Sequence, residues 1–169
     1  MKLVNVNDAS KEKLEGFVRA FELMGETTIP GGSCIENAED LGAWLAQCRL
    51  NEWEETVAIG LVPAMVYVAV DDEDEIVGIA NLRLRLNEFL LNFGGHIGYS
   101  IHPQKRGQGY GREMLKYVLK CARDFSIDEV LITCDDDNFG SQKVIEANGG
   151  VLENVVQNED VKTCRYWIR

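Results

Sequence analysis

Apolar residues recur with two different periods along this chain, and the change of period marks its architecture. Leu14, Phe17, Val18 and Phe21 fall at i, i+3, i+4 and i+7 behind Asp8 and Ser10, either of which can cap a helix. The spacing predicts a helix with one apolar stripe, ending near Gly25. Gly25–Ser33, with Pro30-Gly31-Gly32, reads as a loop. Leu41, Trp44, Leu45 and Cys48 repeat the helical spacing in a second helix that starts around Asn37. From Ala64 the period falls to two. Ala64–Val70 is a valine-rich strand followed by the acidic turn Asp71–Glu75. Ile76–Leu86 is a second strand, whose apolar phase shifts between Ile79 and Leu82 and so predicts a bulge. Asn87–Gly95 is a connection. His96–His102 is a third strand, with Ile97, Tyr99 and Ile101 on one face and His96, Gly98, Ser100 and His102 on the other.

Pro103 ends that strand, and a glycine-rich segment leads into a helix from about Gly109 to Asp124. Met114, Val118 and Ala122, flanked by Leu115, Leu119 and Cys121, form its buried side; Arg112, Lys116, Lys120 and Arg123 form a basic outer stripe. Glu129–Cys134 is continuously apolar, as expected of a central strand. A short helix over Phe139–Asn148 stops at Gly149-Gly150, and Val151–Val156 with Lys162–Ile168 make a final hairpin across Asn158-Glu159-Asp160. Strand, helix and strand from His96 to Cys134 form a βαβ unit, which requires part of the sheet to be parallel. The fold class expected is α/β: one domain over residues 1–169 with a mixed, mostly antiparallel sheet, a central parallel βαβ unit and helices on both faces.

Charge and composition narrow the function. The 17 basic and 28 acidic residues give a net charge of −11, a field that repels nucleic acid. No apolar run approaches the roughly 18 residues of a membrane span, and the N-terminal residues carry no leader pattern. A cytoplasmic protein with neither nucleic acid nor membrane as partner is expected. Five cysteines, Cys34, Cys48, Cys121, Cys134 and Cys164, are an odd number without C-x-x-C spacing, and there are only two histidines. Neither a disulfide framework nor a metal site is expected. An anionic ligand would have to be held by a local feature acting against the global charge.

Arg106–Gly111, Arg-Gly-Gln-Gly-Tyr-Gly, is such a feature. Glycines let a backbone approach an anion closely, and a helix start offers unpaired N–H groups with about half a positive charge. Lys105, Arg106 and Arg112 add charge locally. The dinucleotide pattern G-x-G-x-x-G would need glycine at position 112, which is Arg112. The triphosphate pattern needs Gly-Lys-Ser/Thr, but Arg112-Glu113 follows Gly111.

Arg106-x-x-Gly109-x-Gly111, after a strand ending in Pro103 and before an amphipathic helix, resembles the signature of the GNAT superfamily of N-acetyltransferases. Val130–Cys134, Asn138-x-x-Ser141 and the helix to Gly149 resemble that family's second cofactor segment, so the likeness spans about Gly95–Val151. It implies acetyl-CoA as acyl donor, with its pyrophosphate on Arg106, Gly107, Gln108, Gly109, Tyr110 and Gly111. It also implies an amine acceptor, and it leaves a homodimer open. The backbone of Tyr99, Ser100 and Ile101 would pair with the pantetheine amides, and Asn138 and Ser141 would contact the pantetheine arm.

The resemblance puts His96 where many family members carry a glutamate, which makes it the candidate base; a histidine bonded to a neighbouring backbone is the alternative. The family's usual tyrosine acid, seven residues after the asparagine, is Ile145 here, and isoleucine donates no proton. Tyr99, Tyr110 or Ser141 could serve instead, or the thiolate could leave unassisted. His96 and Tyr99 are the two candidate catalytic residues. Cys134 is a conceivable acyl carrier, disfavoured by the adjacent Asp135–Asp137. Arg83 and Arg85 share a strand face and could meet an acceptor carboxylate. Transfer of an acetyl group to a primary amine of a small molecule or peptide, by direct attack in a ternary complex, is the expected reaction. A non-catalytic acyl-CoA-binding module is the alternative.

Overall fold

The computed structural model describes residues 1–158 and 160–169; Glu159, inside the expected hairpin connection, lies outside the described residues. Among the described residues, seven strands form two antiparallel sheets. The first has the order β1-β2-β3-β4, from β1 (Lys2–Asn5), β2 (Ala64–Val70), β3 (Ile76–Arg83) and β4 (Ile97–Ile101). The second has the order β5-β7-β6, from β5 (Val130–Asp135), β6 (Val151–Asn158) and β7 (Val161–Ile168). Helices α1 (Lys11–Leu23) and α2 (Leu41–Leu50) precede β2; α3 (Tyr110–Asp124) joins β4 to β5, and α4 (Phe139–Glu146) joins β5 to β6.

Local chemistry explains the helix starts. Ser10 Oγ accepts from Lys13 N–H, and Asp40 Oδ1 from Gly42 N–H, each satisfying a first-turn donor. Leu14, Phe17 and Phe21 turn inward from α1, and Trp44 and Cys48 from α2. They pack with Val66, Val68 and Ile79 on one face of the first sheet. The other face is covered by α3 through Met114, Leu115, Val118 and Ala122, which join Val77, Ala80 and Leu82 in a core that continues to Ile132 and Tyr166. Among the described residues, no helix is long and apolar enough to cross a membrane.

Burial on both faces explains the apolar phase shift in β3. Val68↔Ile79 through Ala64↔Arg83 pair without interruption, so there is no bulge between Ile79 and Leu82. The irregularity sits earlier, where Ala69 faces Gly78 and Val70 faces Ile76. β1 was not expected: its four residues, Lys-Leu-Val-Asn, are too few to display a period. The connection before β4 contains one π-helical turn, Leu90–Gly94.

The βαβ unit is present but does not knit the two sheets together. His96 N–H donates to Leu131 O at 2.7 Å, and His96 Nδ1 accepts from Leu131 N–H at 3.0 Å. Further along, the Tyr99 side chain comes close to Cys134. β4 and β5 therefore run in the same direction, joined at His96, and beyond that point no ladder closes them. The result is a wedge in the middle of the fold.

Candidate active site

The wedge is a cleft of about 810 Å³ that reaches from the α3 start to the loop before α2. β4 forms one wall and Thr133–Asp135 of β5 the other. Arg83 N–H donates to His96 O, and His102 N–H to Val77 O. The even-numbered residues of β4 thus bond β3, and by antiparallel alternation Ile97, Tyr99 and Ile101 turn their backbone groups toward the cleft. Ile101 O is taken by Arg106 Nε at 3.2 Å. The Tyr99 backbone is left facing the cleft, as an extended ligand that adds a strand would require.

At one end of the cleft stands the glycine-rich turn. Gly109 caps α3 with φ +91°, a left-handed conformation that disfavours any side chain, and contributes no side-chain cap bond. The first N–H groups of α3 consequently keep their donor capacity, at the positive end of a 15-residue helix. Gly107, Gly109, Gly111, Arg106 and Arg112 all line the cleft; Gln108 and Tyr110 do not. Gln108 Nε2 turns back to Gln104 O. The three cations of this region are not equivalent. Lys105 pairs with Asp71 at 3.2 Å, and Arg106 forks onto Glu26 at 2.7 and 2.8 Å. Arg112 alone of the three has no carboxylate partner among the described residues. Sequence alone gave no sign of Glu26, which lies 80 positions from Arg106 and reaches it only through the fold.

In the middle of the cleft, Tyr99 Oη and Ser141 Oγ are hydrogen-bonded at 3.0 Å. Burial pushes the Tyr99 phenol up to about 12, which keeps it protonated. Cys134 is beside this pair, and burial pushes its thiol up to about 11. Asn138 caps α4 by accepting from Ser141 N–H at 3.0 Å, which fixes Ser141 under Tyr99. Asn138 and Ser141 both line the cleft, as do Tyr99, Ser100 and Ile101. Ser100 Oγ, however, is spent on Pro30 O at 2.7 Å. Ile145 is wholly buried in the core.

His96 is elsewhere. Its ring is buried, does not line the cleft, and uses Nδ1 to accept from Leu131 N–H. Burial, and then the nearby Arg83 guanidinium, push its pKa from 6.5 down to about 4. This is the geometry of a histidine that ties two strands together. The expectation that it serves as base finds no support in its position, because the ring has neither access to the cleft nor basicity near neutrality.

Arg83 and Arg85 also separate, because β3 ends at Arg83 rather than at Leu86 and Arg85 lies beyond the strand. Arg85 points outward to Glu54, with Nη2–Oε1 at 2.7 Å. Arg83 turns inward and lines the cleft at the end opposite the glycine turn, against Gly94 and Gly98 and close to Gly31. Gly31 lies flat on β4 with φ +81°, and a Cβ there would run into the Gly98 carbonyl. Only a glycine lets this loop roof the cleft so closely. Among the described residues, no group of His, Cys, Asp and Glu side chains is arranged to hold a metal ion.

A model of the family described as "Acetyltransferase (GNAT) domain" matches residues 11–151. The chain belongs to this family and is, by that membership, an acyltransferase. No curated protein sequence matches it. Among solved structures it is similar to a variant of spermidine N-acetyltransferase SpeG from Vibrio cholerae, with a TM-score of 0.67 at 12% identity over 99% of this chain and 94% of that one. It is similar to a ribosomal-protein-S5-alanine acetyltransferase from Vibrio fischeri, with a TM-score of 0.67 at 16% identity, over 98% and 91%. It is also similar to the microcin C7 self-immunity acetyltransferase MccE in complex with acetyl-CoA and AMP, with a TM-score of 0.68 at 16% identity, over 93% and 85%. At such identities these likenesses speak for the shared fold.

Proposed function

We propose that the chain transfers the acetyl group of acetyl-CoA to a primary amine by direct attack in a ternary complex. The observation that carries this reading is the cleft between β4 and β5, with a glycine-capped helix start at one end and a half-buried phenol in its middle. The pyrophosphate would sit on the N–H groups around Gly109–Arg112, held by backbone and by Arg112, against the acidic field of the molecule. The pantetheine arm would lie along the backbone edge of Tyr99, with Asn138 and Ser141 across from it. Holding thioester and amine together supplies much of the rate by itself.

Tyr99 is the proton donor in this reading. A phenol that is neutral at physiological pH and oriented by Ser141 can hydrogen-bond the sulfur as its bond to carbon breaks and hand it a proton, which the phenol regains from the water of the open cleft; Ile145 is unsuited to that task. The acceptor's proton goes to water through the open cleft, so the rate should rise with pH as the amine itself deprotonates. Cys134 is unsuited to carry the acetyl group, because a thiol pushed up to about 11 holds little thiolate at neutral pH.

Thiol release from acetyl-CoA across a panel of amines, alongside calorimetric binding of acetyl-CoA, tests the proposal. Binding with turnover of at least one amine is expected. Tight binding without turnover would favour a non-catalytic acyl-CoA-binding module, the reading that Ile145 keeps open. Tyr99→Phe is expected to lower kcat by about 100-fold or more while leaving acetyl-CoA affinity nearly unchanged. An unchanged kcat would mean that the thiolate leaves unassisted.

A further inference from the structure

Arg83 is a half-buried cation without a carboxylate partner among the described residues. Its Nη1 donates to Gly94 O at 2.9 Å and to Gly95 O at 3.1 Å. Burial alone depresses its pKa. Withdrawing part of an unpaired charge from water is costly, and an anion arriving in the cleft would offset that cost. Two carbonyls fix the guanidinium plane and use one of its nitrogens. Nη2 lies on the side of Gly98, on the β4 face that the Thr28–Gly31 loop roofs.

A second polar group on the same face is also incomplete. Asn81, two residues before Arg83 and paired with Gly98, is buried, and its Nδ2 donates to Ser33 Oγ at 2.8 Å. Its Oδ1 accepts from nothing. Asn81 does not line the cleft, so on this strand Arg83 is the group that a ligand can reach. Near Arg83, the lining residues Gly31, Phe93, Gly94, Gly98 and Thr133 carry no charge; of the carboxylates that line the cleft, Glu26 is held by Arg106 and Asp135 stands at the end of β5.

Position separates Arg83 from the cofactor. Arg83 is level with the start of β4, and the glycine turn follows its end; the five residues Ile97–Ile101 span about 16 Å between them. A cofactor whose pyrophosphate occupies the turn and whose arm follows β4 points its thioester toward the Arg83 end. The geometry points to Arg83 as the anchor of a carboxylate on the acceptor, which makes the acceptor a small amine that also bears a carboxylate, such as an amino acid. This rests on the acetyl-transfer reading above. A guanidinium binds a carboxylate through charge-assisted bonds, which demand both charge and angle. In the product the carboxylate remains while the ammonium charge is lost, so the anchor grips substrate and product alike and selects the acceptor without driving the chemistry.

Matched pairs of acceptors decide the matter: a set of amino acids, α- and ω-, each against its carboxamide. The amines of the carboxamides deprotonate more readily, so chemistry alone would favour them. The wild-type protein is expected to prefer the acids by about 10- to 100-fold in kcat/KM, mainly through KM. Arg83→Gln should remove that preference by raising KM for the acids while leaving the amides nearly unchanged, and Arg83→Lys should restore part of it. Acetyl-CoA affinity and thermal midpoint of each variant report on its fold, and the wild-type comparison stands without any variant. Equal or better turnover of the carboxamides would overturn the anchor while leaving acetyl transfer intact. Turnover of no amine, with acetyl-CoA bound, would instead overturn the acetyl-transfer reading and the anchor with it.

Discussion

Gly109→Val should weaken CoA binding by at least about 100-fold, because two or more charge-assisted N–H bonds to phosphate, each worth about 1.5–3 kcal/mol, would be lost. Two effects act at this position. A Cβ at Gly109 meets no protein atom within 4 Å, so the valine would project into open space, where the phosphate is expected. Gly109 also holds φ +91°, and a residue with a Cβ pays about 1–2 kcal/mol there, a β-branched one more. The strain lowers stability whether or not a ligand binds; at this chain length it should cost the thermal midpoint about 5 °C. The two are separable with a pantetheine derivative that lacks the pyrophosphate. Calorimetry should find that this fragment binds wild type and variant alike, whereas CoA distinguishes them. Equal loss for both ligands would reduce the effect to backbone strain, and unchanged CoA affinity would remove the phosphate from this turn.

The turn was legible because its physics is local. Three glycines, the helix start and the strand before it are contiguous, so spacing alone marks an anion cradle. The same holds for α1, whose Ser10 cap and stripe of Leu14, Phe17 and Phe21 lie within a dozen residues. What the sequence did not disclose depends on pairings between distant segments. Arg106 reads as a free cation until the fold brings Glu26 to it. Even so, both partners are partly exposed, and such a pair is worth at most about 1 kcal/mol, little enough for an arriving phosphate to displace. Arg83 and Arg85 are two residues apart and look alike in sequence, but β3 ends at Arg83. The surroundings distinguish them, Glu54 outside for one and the Gly94 and Gly95 carbonyls inside for the other. The phase of β3 was misread for a related reason: a strand covered by helices on both faces has no polar side to reveal its register.

His96 has the same origin, and it yields the second large effect. From sequence it is a histidine on a strand near a thioester; in the fold it is the clasp that joins β4 to β5 just where they begin to diverge. Its folded pKa of about 4 lies below the 6.5 of an unhindered imidazole, so the native state favours the neutral ring. The unfolded chain binds the extra proton first, between those two values. Stability should therefore be full above pH 6.5 and fall progressively as pH drops toward 4, by up to about 3 kcal/mol from this residue. Asparagine can offer an amide oxygen near the place of Nδ1 without titrating. In urea titrations from pH 7.5 to 4, His96→Asn should lose that component of the acid slope, whatever its stability at neutrality. At pH 7.5 its kcat for acetyl transfer should stay within about threefold of wild type, since general-base loss would cost about 100-fold or more. A larger fall in kcat with the fold intact, together with loss of a pH–rate inflection near neutrality, would return His96 to the chemistry. An unchanged acid slope would mean that the ring takes up its proton alike in the folded and unfolded chains, and the clasp would then have to tolerate a charged imidazole.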